Sequence, residues 1–385
     1  MFKKRIVNVL ILYAGKIFSK FKHKKYILIP VKNELMFSYA ILCYKLLFLD
    51  TRLQIYFVFS RRELISGEKI LFLKEKHKIQ TIPAVIAQLF PWDLIIYTDH
   101  QDILIWQKYS QKIYIGHGNF SGKGLSQENI YAFDYKNTIN NNGDLVYEKI
   151  LVSSDELKRL GIKDYPKLSN SIVTSGSLMH DEFIKILGTT SNNLKDNSKK
   201  TVLVASTWGI QSLIQSDGRI LLEQIHSLVK KYNIILAIHP NNFVAKYSGN
   251  IDWREKINEL EQLEGVEVVK STIDTISYLA KADLLITDHT SLSSYYLAAD
   301  RPIIYLLLEK ALLHSGSPFH KLCEKAFTVR NLVDLELKID NAFRNYKSES
   351  FIDLLNIVIS YKCLADKRYK EEIYSVLNIH TPKNF

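Results

Sequence analysis

The sequence predicts an α/β protein with two doubly wound, Rossmann-like domains. Short segments rich in Val, Ile and Leu alternate with longer amphipathic stretches, as in parallel sheets covered by helices on both faces. The 385-residue chain is also too long for one ordinary core. A small, polar, Lys-rich stretch, TTSNNLKDNSKK (189–200), divides the alternation into two series and has the composition of an exposed linker.

The first series predicts an amino-terminal domain over residues 26–188. Helices are predicted from Asn33 to about Leu49 and from Asp155 onwards, because these stretches have helical periodicity. The predicted strands are YILIPV (26–31), IYFVFS (55–60), DLIIYTDH (93–100), KIYIGHG (112–118), KILVSS (149–154) and SIVTSG (171–176).

The second series predicts a carboxy-terminal domain over residues 201–345. Its predicted strands are TVLVAST (201–207), NIILAIHP (233–240), VEVVKS (266–271), DLLITDH (283–289) and PIIYLLL (302–308). The helices predicted between these strands are one that ends at Tyr232, one around 252–263, one over 273–281 and one that begins at Ser291. The final segment, 346–385, has helical periodicity from Phe351 to about Val376, and we expect it to pack across both domains.

Nearly the same phrase occurs once in each series, DLIIYTDH at 93–100 and DLLITDH at 283–289. In both, an apolar strand runs directly into Thr-Asp-His. Ligands of open α/β sheets bind at the carboxyl ends of the strands, so these polar residues are candidates for a site. We expect the two domains to face each other across a cleft bordered by these ends. Two independent domains explain the phrases as well as an internal repeat does, because they align only after a one-residue insertion.

The net charge of +11 has a local origin at the amino terminus. Residues 1–25 hold eight Lys or Arg and no acid, around an uncharged run of ten residues from Ile6 to Gly15. That run is about half of what a membrane-spanning helix needs, and lysines follow where a signal peptide would have small residues. Two interpretations stay open. The segment is either an interfacial helix on an anionic membrane surface or a basic helix packed on its own domain.

The remaining composition argues against several classes of protein. Of the 51 Lys and Arg residues, the 43 beyond residue 25 nearly balance the 40 acidic ones, so we expect no nucleic-acid partner. The three cysteines are widely spaced and favour a reducing cytoplasm over a disulfide framework. No Asp-x-Asp strand end and no cluster at metal-ligand spacing is evident, and we expect neither a metal nor a cofactor.

The stretch IGHGNFSGKG (115–124) carries the first candidate for chemistry. An apolar strand delivers His117 into a glycine-rich turn, and glycines permit a close approach of the backbone to a ligand. Histidine at such a place suits proton transfer from a hydroxyl, because its ordinary pKa lies near neutrality. The alternative is that His117 only hydrogen-bonds its own loop.

A second candidate is DHTSLSSYYLAAD (288–300). The hydroxyls of Thr290 and Ser291 lie where a strand gives way to a helix, so they and the first backbone N–H groups of that helix could hold an anion such as a diphosphate. Plain capping of the helix by Thr290 or Ser291 is the other interpretation, and the two are compatible.

Two further strand ends complete a predicted polar edge of the second sheet. AIHPNN (237–242) ends a strand on His239, and ASTWG (205–209) ends another on Ser206, Thr207 and Trp208. Three such ends on one sheet edge, all with hydroxyl or imidazole groups, predict a polar cleft.

These stretches, in this order, resemble the CDP-glycerol glycerophosphotransferase family, enzymes that build teichoic-acid-like and capsular glycerol-phosphate polymers on a GT-B framework. The resemblance covers roughly residues 110–310. The family's His-Gly-Thr-Pro-like, Ala-Pro-Thr-Trp-like, His-Pro and Thr-Asp-Tyr-Ser-Ser motifs are matched by His117-Gly118-Asn119-Phe120, Ala205-Ser206-Thr207-Trp208, His239-Pro240 and Thr287-Asp288-His289-Thr290-Ser291. Asn119-Phe120 replaces Thr-Pro, and TSGSLMHDEF (174–183) resembles the family's Thr-Gly-x-Pro-Arg-x-Asp segment without its Pro and Arg.

The resemblance implies roles for these residues. His117 would be the general base for an acceptor hydroxyl, with Gly118 and Asn119 beside it, and His239 would be the second catalytic residue. His239, Thr290 and Ser291 would hold the diphosphate of CDP-glycerol, Asp288 would orient its neighbours, and Ser206, Thr207 and Trp208 would line the donor site. CMP would be released, and a glycan or lipid-linked acceptor would be the second partner.

Two other functions stay open. The first is a GT-B glycosyltransferase that uses a CMP- or UDP-linked sugar, because fold does not determine chemistry. The second is a non-catalytic nucleotide-binding subunit of a capsule assembly complex. We expect a cytoplasmic protein, either dissolved or peripheral on the inner face of the cell membrane.

Overall fold

The computed structural model describes residues 23–59, 65–99, 110–117, 123–124, 135–140, 142–190, 199–209, 211–243, 253–308, 312–313 and 315–380. Several sequence predictions fall outside these ranges. They concern residues 1–22 of the basic segment, Gly118 and Asn119 of the first motif, and most of the predicted linker, residues 191–198.

The strands confirm the alternation predicted for both series. They are β1 (Lys25–Val31), β2 (Leu53–Phe59), β3 (Gln80–Thr81), β4 (Leu94–Tyr97), β5 (Gln111–Tyr114), β6 (Lys123–Gly124), β7 (Lys149–Val152), β8 (Ile172–Thr174), β9 (Thr201–Ser206), β10 (Asn233–Ile238), β11 (Val266–Val268), β12 (Leu284–Thr287), β13 (Ile303–Leu306), β14 (Leu312–Leu313) and β15 (Phe327–Val329). β3, β6, β14 and β15 were not predicted.

The helices of the described residues are α1 (Glu34–Leu47), α2 (Gly67–His77), α3 (Ala84–Leu89), α4 (Asp155–Asp164), α5 (Leu178–Thr190), α6 (Leu213–Ser216), α7 (Gly218–Leu228), α8 (Trp253–Leu260), α9 (Thr275–Lys281), α10 (Leu292–Tyr296), α11 (Pro318–Lys325), α12 (Leu335–Asn345), α13 (Ile352–Val358) and α14 (Ala365–Leu377). The helix predicted from Phe351 to about Val376 is in fact two helices, α13 and α14. The backbone between them includes Tyr361 and Cys363 with φ of 54° and 59°, which is incompatible with a continuous helix.

The chain forms two compact units. The first comprises residues 1–117, 134–178 and 361–385, and the second comprises residues 118–133 and 179–360. The sequence analysis ended the first domain at residue 188, whereas the chain passes from the first unit to the second after Leu178 and returns to the first at Tyr361. It also treated 346–385 as one segment, which is divided between the two units after Ser360.

The first unit is built on a seven-stranded parallel sheet with the order β3-β2-β1-β4-β5-β7-β8. β1 lies inside the sheet, and Ile27, Leu28 and Ile29 have no solvent exposure, as expected for a strand covered on both faces. The chain moves outward from β1 to β3 and then returns to place β4 on the other side of β1. The strand order therefore reverses between β1 and β4, and the carboxyl ends of these strands form the usual ligand crevice of such a sheet.

The second unit repeats this arrangement with a six-stranded sheet in the order β11-β10-β9-β12-β13-β15. All of its pairings are parallel. The order reverses between β9 and β12, so this unit has its own crevice at their carboxyl ends. β4 and β12, the two strands that run into Thr-Asp-His, thus hold the same place in their sheets.

The two phrases also begin alike. Asp93 precedes β4, and its carboxylate accepts the backbone N–H of Tyr26 in β1 at 2.8 Å. Asp283 precedes β12, and its carboxylate accepts the backbone N–H of Thr201 in β9, also at 2.8 Å. In each sheet, the Asp that begins the repeated sequence therefore joins the two central strands at their amino ends.

The last helix, α14, belongs to the first unit. The Tyr374 hydroxyl donates to the carboxylate of Asp50 at 2.9 Å, and the guanidinium of Arg52 binds the same carboxylate at 2.7 Å. Arg368 donates to the Thr174 carbonyl at the end of β8, 3.1 Å away. These bonds attach the carboxy-terminal residues to the first sheet.

Within the described part of the chain, no helix is both long enough and apolar enough to cross a bilayer.

Candidate active site

His117 lies at the carboxyl edge of the first sheet, three residues after β5. Gly116, with φ of 65°, makes the turn that leads to it. The Nδ1 atom of His117 is 2.8 Å from the carbonyl oxygen of Thr98, which follows β4. A carbonyl can only accept, so Nδ1 carries the proton and Nε2 carries the lone pair of the neutral ring. The alternative interpretation placed the hydrogen bond of His117 within its own loop, whereas this bond goes to the end of β4. It uses the nitrogen that a general base does not need.

A lysine and a carboxylate lie at the same edge. Lys32 follows β1 and Asp99 follows Thr98, and their Nζ and Oδ2 atoms are 2.8 Å apart. The ring of Tyr39, on α1, meets the ring of His117 edge-on with centroids 6.4 Å apart. His117 therefore shares this sheet edge with groups that follow β1 and β4, the two strands at which the sheet order reverses. The sequence analysis assigned no role to Lys32 or Asp99.

Asp288 organises the edge of the second sheet and has no solvent exposure. Its carboxylate accepts hydrogen bonds from the backbone N–H of Thr207 at 3.0 Å, the backbone N–H of Leu213 at 2.8 Å and the Ser206 hydroxyl at 3.1 Å. These donors belong to the end of β9 and the start of α6. Asp288 thus joins β12 to the chain that follows β9, in keeping with the orienting role expected from the sequence.

Asn242 extends this network and was not assigned as a site residue. Its fully buried amide donates to the Thr207 carbonyl at 3.0 Å and accepts from Gln215 at 3.3 Å. Its backbone N–H donates to the His239 carbonyl at 2.9 Å. The His-Pro turn after β10 is therefore bonded to the turn after β9. The only indication of this role in the sequence was the presence of an Asn two residues after the His-Pro motif.

His239 and Trp208 lie side by side on this edge. The Nδ1 atom of His239 accepts the backbone N–H of Asn241 at 3.1 Å, so Nε2 carries the proton of the neutral ring and is a donor. The ring centroids of His239 and Trp208 are 6.0 Å apart, and Trp208 is 41% exposed although it is large and apolar. An exposed indole beside an imidazole donor suits a planar, anionic ligand such as a nucleotide.

Thr290 and Ser291 precede α10, but the predicted helix is short, because α10 has five residues before a 3₁₀ turn. Ser291 is the N-cap residue and its side chain makes no capping bond, so of the two residues named for capping only Thr290 has its hydroxyl within reach of a helix N–H. The Thr290 hydroxyl is 3.5 Å from the backbone N of Leu292, which is a long contact. With so short a helix, an anion here would depend on local N–H and hydroxyl donors more than on the helix dipole.

His180 also supports α10, and the sequence analysis assigned it no role. It is fully buried, and its Nε2–H donates to the Ser294 carbonyl at 2.9 Å. Its ring lies 4.8 Å from that of Tyr295. His180 lies in the TSGSLMHDEF stretch noted in the sequence, and that context was the available signal.

The site residues thus fall into two groups. In the first unit His117 is joined to Thr98, and in the second unit a connected network contains Ser206, Thr207, Trp208, His239 and Asp288, followed in sequence by Thr290 and Ser291. Among the described residues no group of three or more His, Cys, Asp or Glu side chains is arranged to hold a metal ion.

Known proteins resemble this chain along most of its length. The Bacillus subtilis (strain 168) teichoic acid glycerol-phosphate primase is 26% identical over 305 residues, which cover 75% of this chain and 71% of the relative. A structure of the wall teichoic acid polymerase TagF superposes with a TM-score of 0.65 at 13% identity, covering 93% of this chain and 90% of that one. The S. aureus MnaA–UDP co-structure has a TM-score of 0.57 at 13% identity, covering 94% and 100%. At these identities the two structures show a likeness of fold, which is that of GT-B proteins.

The family model of CDP-glycerol:poly(glycerophosphate) glycerophosphotransferases matches residues 15–312. This range contains every candidate site residue described above and all strands of the two parallel sheets except β15. The match confirms the resemblance first drawn from the four strand-end motifs. The chain therefore belongs to the CDP-glycerol:poly(glycerophosphate) glycerophosphotransferase family and is a transferase.

Proposed function

We propose that this enzyme transfers glycerol phosphate from CDP-glycerol to a hydroxyl of a glycan or polyol-phosphate acceptor, with release of CMP, in the synthesis of a teichoic-acid-like or capsular polymer. Family membership supports the donor and the reaction type. The likeness to the primase named above supports the polymer class. The observation that carries the mechanism is the hydrogen bond from His117 Nδ1 to the Thr98 carbonyl.

That bond prepares His117 for general base catalysis. Because Nδ1 holds a proton in the bond to Thr98, the basic nitrogen of the neutral ring is Nε2. In the proposed step the acceptor oxygen forms a bond to the β-phosphorus of CDP-glycerol while its proton moves to Nε2. The bond from this phosphorus to the bridging oxygen breaks, and CMP leaves with that oxygen. Positioning and electrostatic stabilisation supply most of the rate enhancement in such transfers.

The second unit would bind the donor. His239 Nε2–H is a hydrogen-bond donor for the diphosphate, and it would stabilise the charge that develops on the leaving CMP. The Ser291 hydroxyl, which is not used in capping α10, would donate to the same diphosphate. The exposed indole of Trp208 would stack on the cytosine ring. Asp288 and Asn242 would act through the backbone they hold, since both are fully buried.

We further propose that no metal or cofactor takes part, with N–H and hydroxyl donors serving the role of a cation. Addition of EDTA should then leave turnover unchanged, and a loss of activity that Mg²⁺ restores would overturn this part of the proposal.

The decisive experiment is a donor panel. The purified protein is incubated with a polyol-phosphate acceptor and either CDP-glycerol, CMP-linked sugars or UDP-linked sugars, and nucleotide release is measured. We expect CMP from CDP-glycerol alone. Turnover of a nucleotide sugar instead would favour a GT-B glycosyltransferase. Unaltered function of the His117→Ala variant in polymer synthesis would favour a non-catalytic subunit.

Membrane association through residues 1–25 is also proposed, on the basis of their eight basic residues and absent acids. Flotation with anionic liposomes should recover the full chain and should lose the variant that starts at Tyr26. Equal recovery of both proteins would refute this role.

A further inference from the structure

The two Thr-Asp-His phrases provide an internal comparison of two aspartates. Asp99 follows β4 and Asp288 follows β12, and both strands are the first beyond the reversal of strand order in their sheets. Asp288 is completely buried and bonded to backbone groups of its own unit. Asp99 keeps 20% of its side chain exposed, and its partner is the Nζ atom of Lys32, itself 24% exposed. The same sheet position thus holds a buried carboxylate in one unit and a partly exposed ion pair in the other.

The Lys32–Asp99 ion pair lies at the same sheet edge as His117, and each of its residues is a chain neighbour of an element that contacts His117. Asp99 directly follows Thr98, whose carbonyl oxygen holds His117 Nδ1. Lys32 directly precedes Asn33, the N-cap residue of α1, and the same helix carries Tyr39, whose ring contacts the ring of His117. A substrate with its reacting hydroxyl at Nε2 of His117 would therefore lie close to this pair.

The chemistry of the ion pair favours a hydroxyl-rich ligand. The two charges neutralise each other, so the pair would attract an isolated phosphate only weakly. A carboxylate has about four acceptor positions and an ammonium has three donors, so the pair offers acceptors and donors side by side. A polyol hydroxyl both donates and accepts, so it can bond to the carboxylate and to the ammonium of the pair together.

We infer that Lys32 and Asp99 recognise a second hydroxyl of the acceptor, on the carbon next to the one that bears the attacking hydroxyl. This inference rests on the proposed function and names the acceptor class as a polyol that ends in a vicinal diol, such as a terminal glycerol unit. Asp99 accepts from the second hydroxyl and Lys32 donates to its oxygen. Both residues bind the acceptor and neither exchanges a proton with it, so the attacking hydroxyl is held towards His117.

The test compares two acceptors. One ends in glycerol phosphate, and the other is identical except that its terminal glycerol lacks the second hydroxyl. The wild-type enzyme should prefer the intact acceptor in kcat/KM by about 10- to 100-fold, the range expected for one hydrogen bond to a charged group. Asp99→Asn and Lys32→Met should each reduce this preference to within about threefold, while KM for CDP-glycerol remains as in wild type.

Asp93→Asn is the matched control, because Asp93 lies at the other end of the same strand, where its carboxylate accepts the backbone N–H of Tyr26 in β1. It should keep the full preference for the intact acceptor even if its melting temperature falls. A purely structural ion pair would lower activity on both acceptors equally in the Asp99 and Lys32 variants, and that result would overturn the inference. Absence of CMP release by the wild-type enzyme with either acceptor would instead refute the proposed function.

Discussion

His117 and Thr98 are joined by a bond from an imidazole N–H to a backbone carbonyl, 2.8 Å long, across the carboxyl ends of two neighbouring strands. The bond fixes the orientation of the imidazole and selects its tautomer without using a side chain that a substrate might need. Similar arrangements orient histidines elsewhere in proteins. The role of His117 as a general base can be tested with a substitution that keeps the hydrogen bond to Thr98.

His117→Asn keeps an N–H donor for the Thr98 carbonyl but has no nitrogen in the place of Nε2. We expect kcat to fall by roughly 10²–10⁴-fold, as for loss of a general base, with little change in melting temperature. CMP release from CDP-glycerol measures the first quantity and differential scanning fluorimetry the second. Near-normal turnover would show that Nε2 does not take the acceptor proton.

Ser291 and Ser293 form a matched pair at α10. Ser293 Oγ donates to the Thr290 carbonyl at 2.7 Å, whereas Ser291 is an N-cap residue without a side-chain capping bond. Ser291→Ala should therefore raise KM for CDP-glycerol by about 3- to 10-fold through one lost hydrogen bond. Ser293→Ala should leave KM unchanged. Saturation curves with CDP-glycerol give KM for both variants. An equal rise in KM in the two variants would count against a diphosphate at Ser291.

Trp208 should stack on the base of the nucleotide. Base–aromatic stacking contributes about 1–3 kcal/mol, so Trp208→Ala should weaken CMP binding by roughly 5- to 150-fold. Pyrophosphate, which has no base, serves as the control ligand and should bind both proteins alike. Isothermal titration calorimetry gives both dissociation constants. A parallel loss for CMP and pyrophosphate would show instead that Trp208 supports the diphosphate site.

Asp288→Ala should destabilise the second unit. The substitution leaves the buried backbone N–H groups of Thr207 and Leu213 without their acceptor, at about 1–3 kcal/mol for each group. Hydrogen–deuterium exchange should accelerate in peptides from β9 and β12. Asp353→Ala is the control, since the Asp353 side chain is 78% exposed and little change is expected. Unchanged exchange after Asp288→Ala would refute the structural role of this carboxylate.

The hydrogen bond between Asp50 and Arg52 should make the stability of the protein depend on pH. The hydrogen bond from the Arg52 guanidinium lowers the pKa of Asp50 to about 2, below the usual value of about 3.9 in an unfolded chain. A lowered pKa in the folded state gives stability that is present above about pH 4 and is lost as the pH falls through about 2. The melting-temperature difference between wild type and Asp50→Asn should therefore be largest near neutral pH.

Scanning calorimetry between pH 7 and pH 2 tests this expectation, and the difference should shrink steadily below pH 4. Tyr374→Phe removes a hydroxyl donor from the same carboxylate but keeps the Arg52 pair. It should retain most of the pH dependence. A difference that stays constant over the whole range would exclude a linked titration of Asp50.

Much of the fold follows from local sequence pattern. The buried parallel strands are apolar runs ended by polar residues, so their positions and their carboxyl ends could be predicted. The polar edge of the second sheet, with Ser206, Thr207, His239 and Asp288, was predicted from those ends, and the structure bonds Ser206 and Thr207 to Asp288 there. The part these residues take in a ligand site stays a prediction.

Other features depend on distant parts of the chain. The pairing of Lys32 with Asp99 exists only because β4 lies beside β1, and the sequence does not state that register. β3 and β15 are two and three residues long, too short to show a period of two. The break between α13 and α14 passes through Tyr361 and Cys363 at positive φ, where no glycine signals a turn.

The attachment of α14 to the first unit bears on the order in which the chain can fold during synthesis. The second unit is complete in sequence at Ser360, whereas the first unit still lacks Tyr361 to Phe385 at that moment. Asp50 and Thr174 must wait for Tyr374 and Arg368 to leave the ribosome before their bonds can form. The part of the protein translated first is therefore the last to be completed, in reverse of the usual amino-terminal-first order.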